Sequence, residues 1–175
     1  DAQVDYLIDQ YDNNILPIER DAFSVAPPLD GSHQQITPVF GVPLPPNYFA
    51  GDGDRVVTLV DNVRDDNFYD TDNANTYSYI AGFYWSLYDY YFNRLTMNID
   101  GWDWLHRTGD APPNDPSTDP CTHAPARPNV YEGVFAHEYQ HLLHRYTDPD
   151  ETNWVNEGLS DFTEVLTGYA DLERH

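Results

Sequence analysis

Apolar residues in the last third of the chain recur at helical spacing. At about 100° of rotation per residue, Tyr131, Phe135, Tyr139, Leu142, Leu143 and Tyr146 fall on one broad side of a single helix, with His137 and His141 opposite. The spacing predicts an amphipathic helix over 131–146 that buries its aromatic and leucine side. Pro128 precedes it, Asn129 with Glu132 three positions later reads as a cap and its reciprocal partner, and Thr147-Asp148-Pro149 ends it. A second helix is predicted over 154–166. Val155, Leu159, Phe162 and Leu166 form its apolar stripe, while Glu157, Asp161 and Glu164 share the other side at i, i+4 and i+7. The short connection lets the second helix fold back on the first, and Gly158 is expected where the two backbones approach most closely.

Upstream the period changes. Residues 55–63, Arg55-Val56-Val57-Thr58-Leu59-Val60-Asp61-Asn62-Val63, are rich in β-branched side chains and predict a strand in the sheet interior. Tyr77-Ser78-Tyr79-Ile80-Ala81 alternates as a strand does, and 94–100 reads as another. The many aromatics between Tyr77 and Trp104 are expected to serve mainly in core and sheet packing. Val4-Asp5-Tyr6-Leu7-Ile8 suits the start of either a helix or a strand, closed by Ile15-Leu16-Pro17. From there to Asn47 repeated prolines predict an extended wrap, so residues 1–50 are read as an extended Pro-rich N-terminal segment of one domain spanning 1–175. Residues 108–128 form a second Pro-rich loop. Helices and strands in separate runs make the fold class α+β.

The chemistry lies on the two predicted helices. His137-Glu138-x-x-His141 sets two imidazoles one turn apart on one face, where both can reach a single metal ion, and Glu138 lies close enough to act on a water held there. Catalytic zinc takes three protein ligands and keeps one position open. Glu157 on the facing helix is the natural third. Asp161, one turn further on, can accept the free ring N–H of a ligand histidine and fix its tautomer. His144 lies almost on the same side but about 10 Å along the axis from His137, too far to join the same ion without strain, and reads as a cleft-wall or surface histidine.

His137-Glu138-x-x-His141 followed by Asn156-Glu157-Gly158-Leu159-Ser160-Asp161 resembles the gluzincin zinc metallopeptidases, the group that includes thermolysin, and Trp154-Val155-Asn156-Glu157-Gly158-Leu159 is most similar to their hyicolysin-like branch. In that branch a segment resembling Tyr79-Ile80-Ala81-Gly82-Phe83-Tyr84 precedes the zinc helix and borders the substrate cleft. The resemblance implies a zincin-type fold, with a mixed, twisted sheet on an active-site helix and a second ligand-bearing helix. It further implies a zinc-dependent endopeptidase, with His137, His141 and Glu157 as zinc ligands and Glu138 as general base. Asp161 and Asn156 are implied as hydrogen-bonding partners behind the ligands. The spacer between His141 and Glu157 is shorter than in thermolysin. The transition-state-stabilising Tyr or His of the family has no matching motif, which leaves Tyr169, His144 and His123 as candidates. Gluzincins continue into a further helical subdomain, expected to be missing from a chain that ends at His175.

Composition narrows the partners. Thirty carboxylates against eight arginines give a formal net charge of -22 and a sequence pI near 4.1, which repels phosphate and so excludes nucleic acid and anionic membranes as partners. No stretch approaches the ~20 apolar residues of a membrane span. Cys121, the single cysteine, allows no internal disulfide. The run from Asp65 to Asn75 carries enough short oxygen-bearing side chains to bind calcium, although it fits no EF-hand register. The expected setting is secreted or extracellular, with protein or peptide substrates. The competing expectation is a catalytically inactive zinc- or calcium-stabilised structural or adhesion module. An intact Glu138 weighs against it, because a structural zinc site closes its fourth position with another ligand and has no use for a base.

Overall fold

The structure is a computed structural model that describes residues 2–69, 80–101 and 129–170 of the chain. Its first element is helical, not extended. Helix α1 (Ala2–Gln10) runs through a π-helical turn (Tyr11–Ile15) into α2 (Leu16–Ala22). Pro17 does not end the helix: it follows directly on the π-helical turn, where the ladder has already shifted, Leu16 N–H bonding to the Tyr11 carbonyl five residues back. Leu7 and Ile15 are buried, and the Tyr11 ring meets Phe135 and Tyr139 edge-on at 5.1 and 5.3 Å, so this arm is held by core contacts. The extended, proline-rich character of residues 1–50 applies only after Ala22, and a short helix α3 (Ile36–Phe40) interrupts it.

Strand β1 (Val56–Asp61) is followed by a single turn, α4 (Asp66–Tyr69), strand β2 (Gly82–Tyr84), helix α5 (Ser86–Phe92) and strand β3 (Leu95–Asp100). The sheet order is β1-β3-β2, with β1 parallel and β2 antiparallel to β3. The interior strand is thus β3, all six residues of which are buried. The interior position predicted for 55–63 does not hold among the described residues: β1 lies at an edge, with Leu59 and Val60 exposed. β-Branched composition marks a pleated, half-buried surface and does not separate edge from centre. The segment 77–81 lies mostly outside the described residues, and the observed strand starts just after it, at Gly82. Helix α5 has no counterpart in the sequence reading. Its aromatics form a side stack, Tyr88 on Phe92 and Phe92 on Phe49, with centroids 5.3 and 5.0 Å apart, while Trp85 and Tyr90 are exposed.

Leu95, Met97 and Ile99 share one face of β3 and meet α6 (Val130–Thr147), whose Tyr131, Phe135, Tyr139, Leu142 and Leu143 are buried as predicted. Tyr146 is the exception. It is 38% exposed, and its hydroxyl donates to the buried Asp89 carboxylate at 2.9 Å. Asn129 is not a side-chain cap either: it adopts the left-handed conformation (φ 66°), and only its carbonyl serves the first turn, accepting from Gly133 N–H. Gly82 sets the distance between sheet and helix. A Cβ built there would lie 2.7 Å from Val134 Cγ1 and 2.8 Å from the Asn98 carbonyl oxygen. Gly82→Ala is therefore expected to cost about 1–3 kcal/mol by overpacking. Urea unfolding measures it, and an unchanged midpoint would mean that α6 does not seat on β2 in this way.

Helix α7 (Asn153–Thr167) folds back on α6 as predicted, but it buries the opposite side. Phe162 and Leu166 of the expected stripe are 50% and 38% exposed, while Ser160, Thr163 and Thr167 are buried. The reason is chemical: the side facing α6 must satisfy two imidazoles, so it carries carboxylates and small hydroxyls. Thr163 and Thr167 can be buried because each hydroxyl donates to a carbonyl of its own helix, those of Ser160 and Thr163. Gly158 is exposed with no atom near a built Cβ, so it does not mediate the approach. That position belongs to Gly133 on α6, which packs under Glu164 and Tyr169. Asn14 of the π turn donates to the Thr167 carbonyl at 2.8 Å and tethers the far end of α7. No helix among the described residues is long and apolar enough to cross a membrane.

Candidate metal centre

Because α6 is continuous through 137–141, both imidazoles leave it on one face. Their Nε2 atoms are 3.2 Å apart, and Glu157 Oε2 from α7 lies 3.5 Å from each. Ligands bound tetrahedrally to zinc at about 2.0–2.1 Å stand roughly 3.3–3.4 Å from one another. The three atoms thus have the separations of one face of such a tetrahedron, and two nitrogens with a carboxylate oxygen are a donor set that suits zinc.

Glu138 completes the cluster. His137, Glu138 and His141 bring their ligating atoms within 4.8 Å of one another and form a group that can hold a metal ion. Glu138 and Glu157 are nevertheless held differently. Glu138 Oε2 is fixed by the Tyr84 N–H of β2 at 2.8 Å, while Glu157 Oε2 sits equally far from both ring nitrogens. Both carboxylates thus lie within reach of the two imidazoles, Glu157 Oε2 equidistant from the rings and Glu138 beside them. Burial pushes the Glu138 carboxyl up to about 7, opposed by the nearby His137 and by the Tyr84 N–H.

Behind the pair, His137 Nδ1 faces Asp161 Oδ1 at 3.3 Å and Glu164 Oε1 at 3.4 Å. Burial pulls the His137 pKa down, but Glu164, Glu138 and Asp161 outweigh it, and the net shift is upward. His141 Nδ1 lies 2.9 Å from Asn156 Oδ1 and 3.0 Å from Ser160 Oγ. Its pKa is lowered, by burial first and by His137 beside it, against the raising effect of Asn156. All six residues expected from the sequence, His137, His141, Glu138, Glu157, Asp161 and Asn156, meet here. The sequence reading missed Ser160, Gln140 and the contact of Glu164 with the ring. Glu164 was visible on the carboxylate side of α7, but nothing local tells which turn of that side meets His137.

Glu164 is also the better placed of the two carboxylates, with a side chain 28% exposed against 74% for Asp161. Glu164→Gln is expected to weaken metal binding 10- to 100-fold, and Asp161→Asn by less. Competition with a chromophoric chelator measures both, and the reverse order would return the main role to Asp161.

The cluster opens on a cavity of about 420 Å³ whose far walls include Trp85, His144, Arg145 and Glu151. His144 is thus a cleft-wall residue. Tyr169 is drawn away from the cleft: its hydroxyl donates to Gln10 Oε1 at 2.9 Å and accepts from Asn14 at 3.0 Å. His123, Cys121 and most of the 65–75 run expected to bind calcium lie outside the described residues. Asp65 at that loop's start is described, and both its oxygens accept backbone N–H groups, from Phe68 and Ile80. Comparisons with protein-family models, with curated proteins and with solved structures find no match for this chain.

Proposed function

We propose that the chain is a zinc-dependent endopeptidase with a zincin-type arrangement of sheet and helices, acting on protein or peptide substrates in an extracellular setting. The observation that carries this reading is the convergence of His137 Nε2, His141 Nε2 and Glu157 Oε2 at 3.2–3.5 Å, with a separate buried carboxylate beside them. A closed structural site would have no such spare group.

When bound, zinc supplies Lewis acidity, polarising the scissile carbonyl and making the attacking water more acidic. The remaining work falls to the chain. Glu138 takes the proton from that water and passes it to the leaving amine nitrogen. The Tyr84 N–H holds one of its oxygens and leaves the other for the proton. Glu164 and Asp161 fix the His137 ring, and Asn156 fixes that of His141. Metal analysis followed by digestion of an unstructured protein, with and without a chelator, tests the reading. Stoichiometric zinc with chelator-sensitive hydrolysis restored by zinc is expected; zinc bound without hydrolysis would favour the scaffold instead.

A further inference from the structure

We infer that Asp89 is a positioning residue for the general base: its carboxylate holds the Tyr84 phenol and thereby the backbone N–H on which Glu138 rests, an inference that depends on the zinc-peptidase reading. Among the described residues that N–H, 2.8 Å from Oε2, makes the one hydrogen bond to the Glu138 carboxylate. The orientation of the base is therefore set from β2, not from the helix that carries it.

The sheet alone does not hold that N–H. Tyr84 is the last residue of β2 and stands opposite Met97, and because its N–H turns to Glu138 it donates no ladder bond to β3. Its side chain supplies the missing anchor. The phenol donates to Asp89 Oδ2 at 2.8 Å, while Asp89 Oδ1 accepts the N–H of Thr96, the neighbour of Met97, at 2.8 Å. One carboxylate thus ties β2 to β3 at the level where their own pairing ends.

The same oxygen accepts a second phenol, that of Tyr146, at 2.9 Å. Tyr146 lies about two turns beyond Glu138 on α6, so the end of β2 and the helix that bears the base share one anchor. Asp89 is buried, which removes water as a competing partner. As links in the fold the two phenols are nearly equivalent, yet only Tyr84 continues to Glu138. That difference separates positioning from mere stapling.

The test uses zinc-loaded protein and compares Tyr84→Phe with Tyr146→Phe. Tyr84→Phe is expected to lower kcat about tenfold with KM and zinc content unchanged, since the lost hydroxyl faces Asp89 and not the cleft. In the same variant amide hydrogen exchange at position 84 is expected to quicken about tenfold. Tyr146→Phe is expected to leave both kcat and that exchange rate near the wild-type values. Asp89→Asn, whose NH₂ accepts from neither phenol, is expected to reproduce the Tyr84→Phe pattern, and it decides the matter should Tyr84→Phe not fold. Equal changes in the two phenol variants would make Asp89 a structural staple only, and a raised KM with kcat kept in Tyr84→Phe would put the hydroxyl against substrate. Either result overturns this inference alone. Wild-type protein without hydrolysis overturns the peptidase reading and this inference with it.

Discussion

Glu138→Gln is expected to retain zinc and the fold while losing roughly 10²- to 10⁴-fold in kcat, the range typical for removal of a general base. The substitution is close to isosteric, and the amide oxygen can still accept the Tyr84 N–H that now reaches Glu138 Oε2 at 2.8 Å. What it removes is the ability to hold a proton. In the metal-free chain burial raises this carboxyl to about 7, and a cation bound beside it would draw the value back down. Metal content and turnover together decide the outcome. A variant that keeps both zinc and full turnover would remove Glu138 from the chemistry. A variant that loses zinc would make Glu138 a ligand, which its closeness to both histidines permits.

The site was legible in the sequence to a greater extent than the fold that carries it. His137, His141 and Glu138 lie within one turn and a half of helix, so local spacing determines their relative placement, and the apolar side of α6 confirms the period. Glu157 became legible through the chemistry of an unfilled ligand position. Long-range packing is where the reading failed. Val155, Leu159, Phe162 and Leu166 have the spacing of a buried stripe, yet the demand of two imidazoles for hydrogen-bonding partners turns α7 to its hydroxyl and carboxylate side. In β3 the sequence alternates, yet Thr96, Asn98 and Asp100 are buried together with Leu95, Met97 and Ile99, so alternation did not mark it as the interior strand. The Thr96 N–H donates to the Asp89 carboxylate on α5, and the Asp100 carboxylate accepts from the Val63 N–H beyond the end of β1, partners that no local pattern reveals. At the N-terminus, Pro17 stands just after a π-helical turn, which carries the helix past it and which proline content does not reveal.

The largest expected effect on stability arises from a residue with no part in the chemistry. Glu19 on α2 is fully buried, and among the described residues neither of its carboxylate oxygens has a hydrogen-bond partner. The adjacent Arg20 bonds to Tyr139 instead, so nothing offsets the loss of solvent, and burial raises the Glu19 carboxyl from 4.5 to about 9. The folded chain therefore keeps this proton over a pH range in which the unfolded chain has released it. Stability must then fall as pH rises above 4.5, by about 1.4 kcal/mol per pH unit, and level off near 9. At pH 7 the loss relative to pH 4.5 is about 3 kcal/mol, a large fraction of the 5–15 kcal/mol of an ordinary domain. Glu19→Gln removes the titration and should flatten the difference. Asp89, raised to about 6 by burial, adds a slope of the same sign at lower pH, but it is common to both proteins and cancels in the comparison. Urea unfolding of the metal-free parent and of Glu19→Gln at intervals from pH 5 to 9 measures the effect, since metal release by the histidines would otherwise mask it. Curves that run parallel over that interval would mean that Glu19 reaches solvent or a counter-charge, and that α2 does not seal it against the Tyr11 and Tyr139 pair.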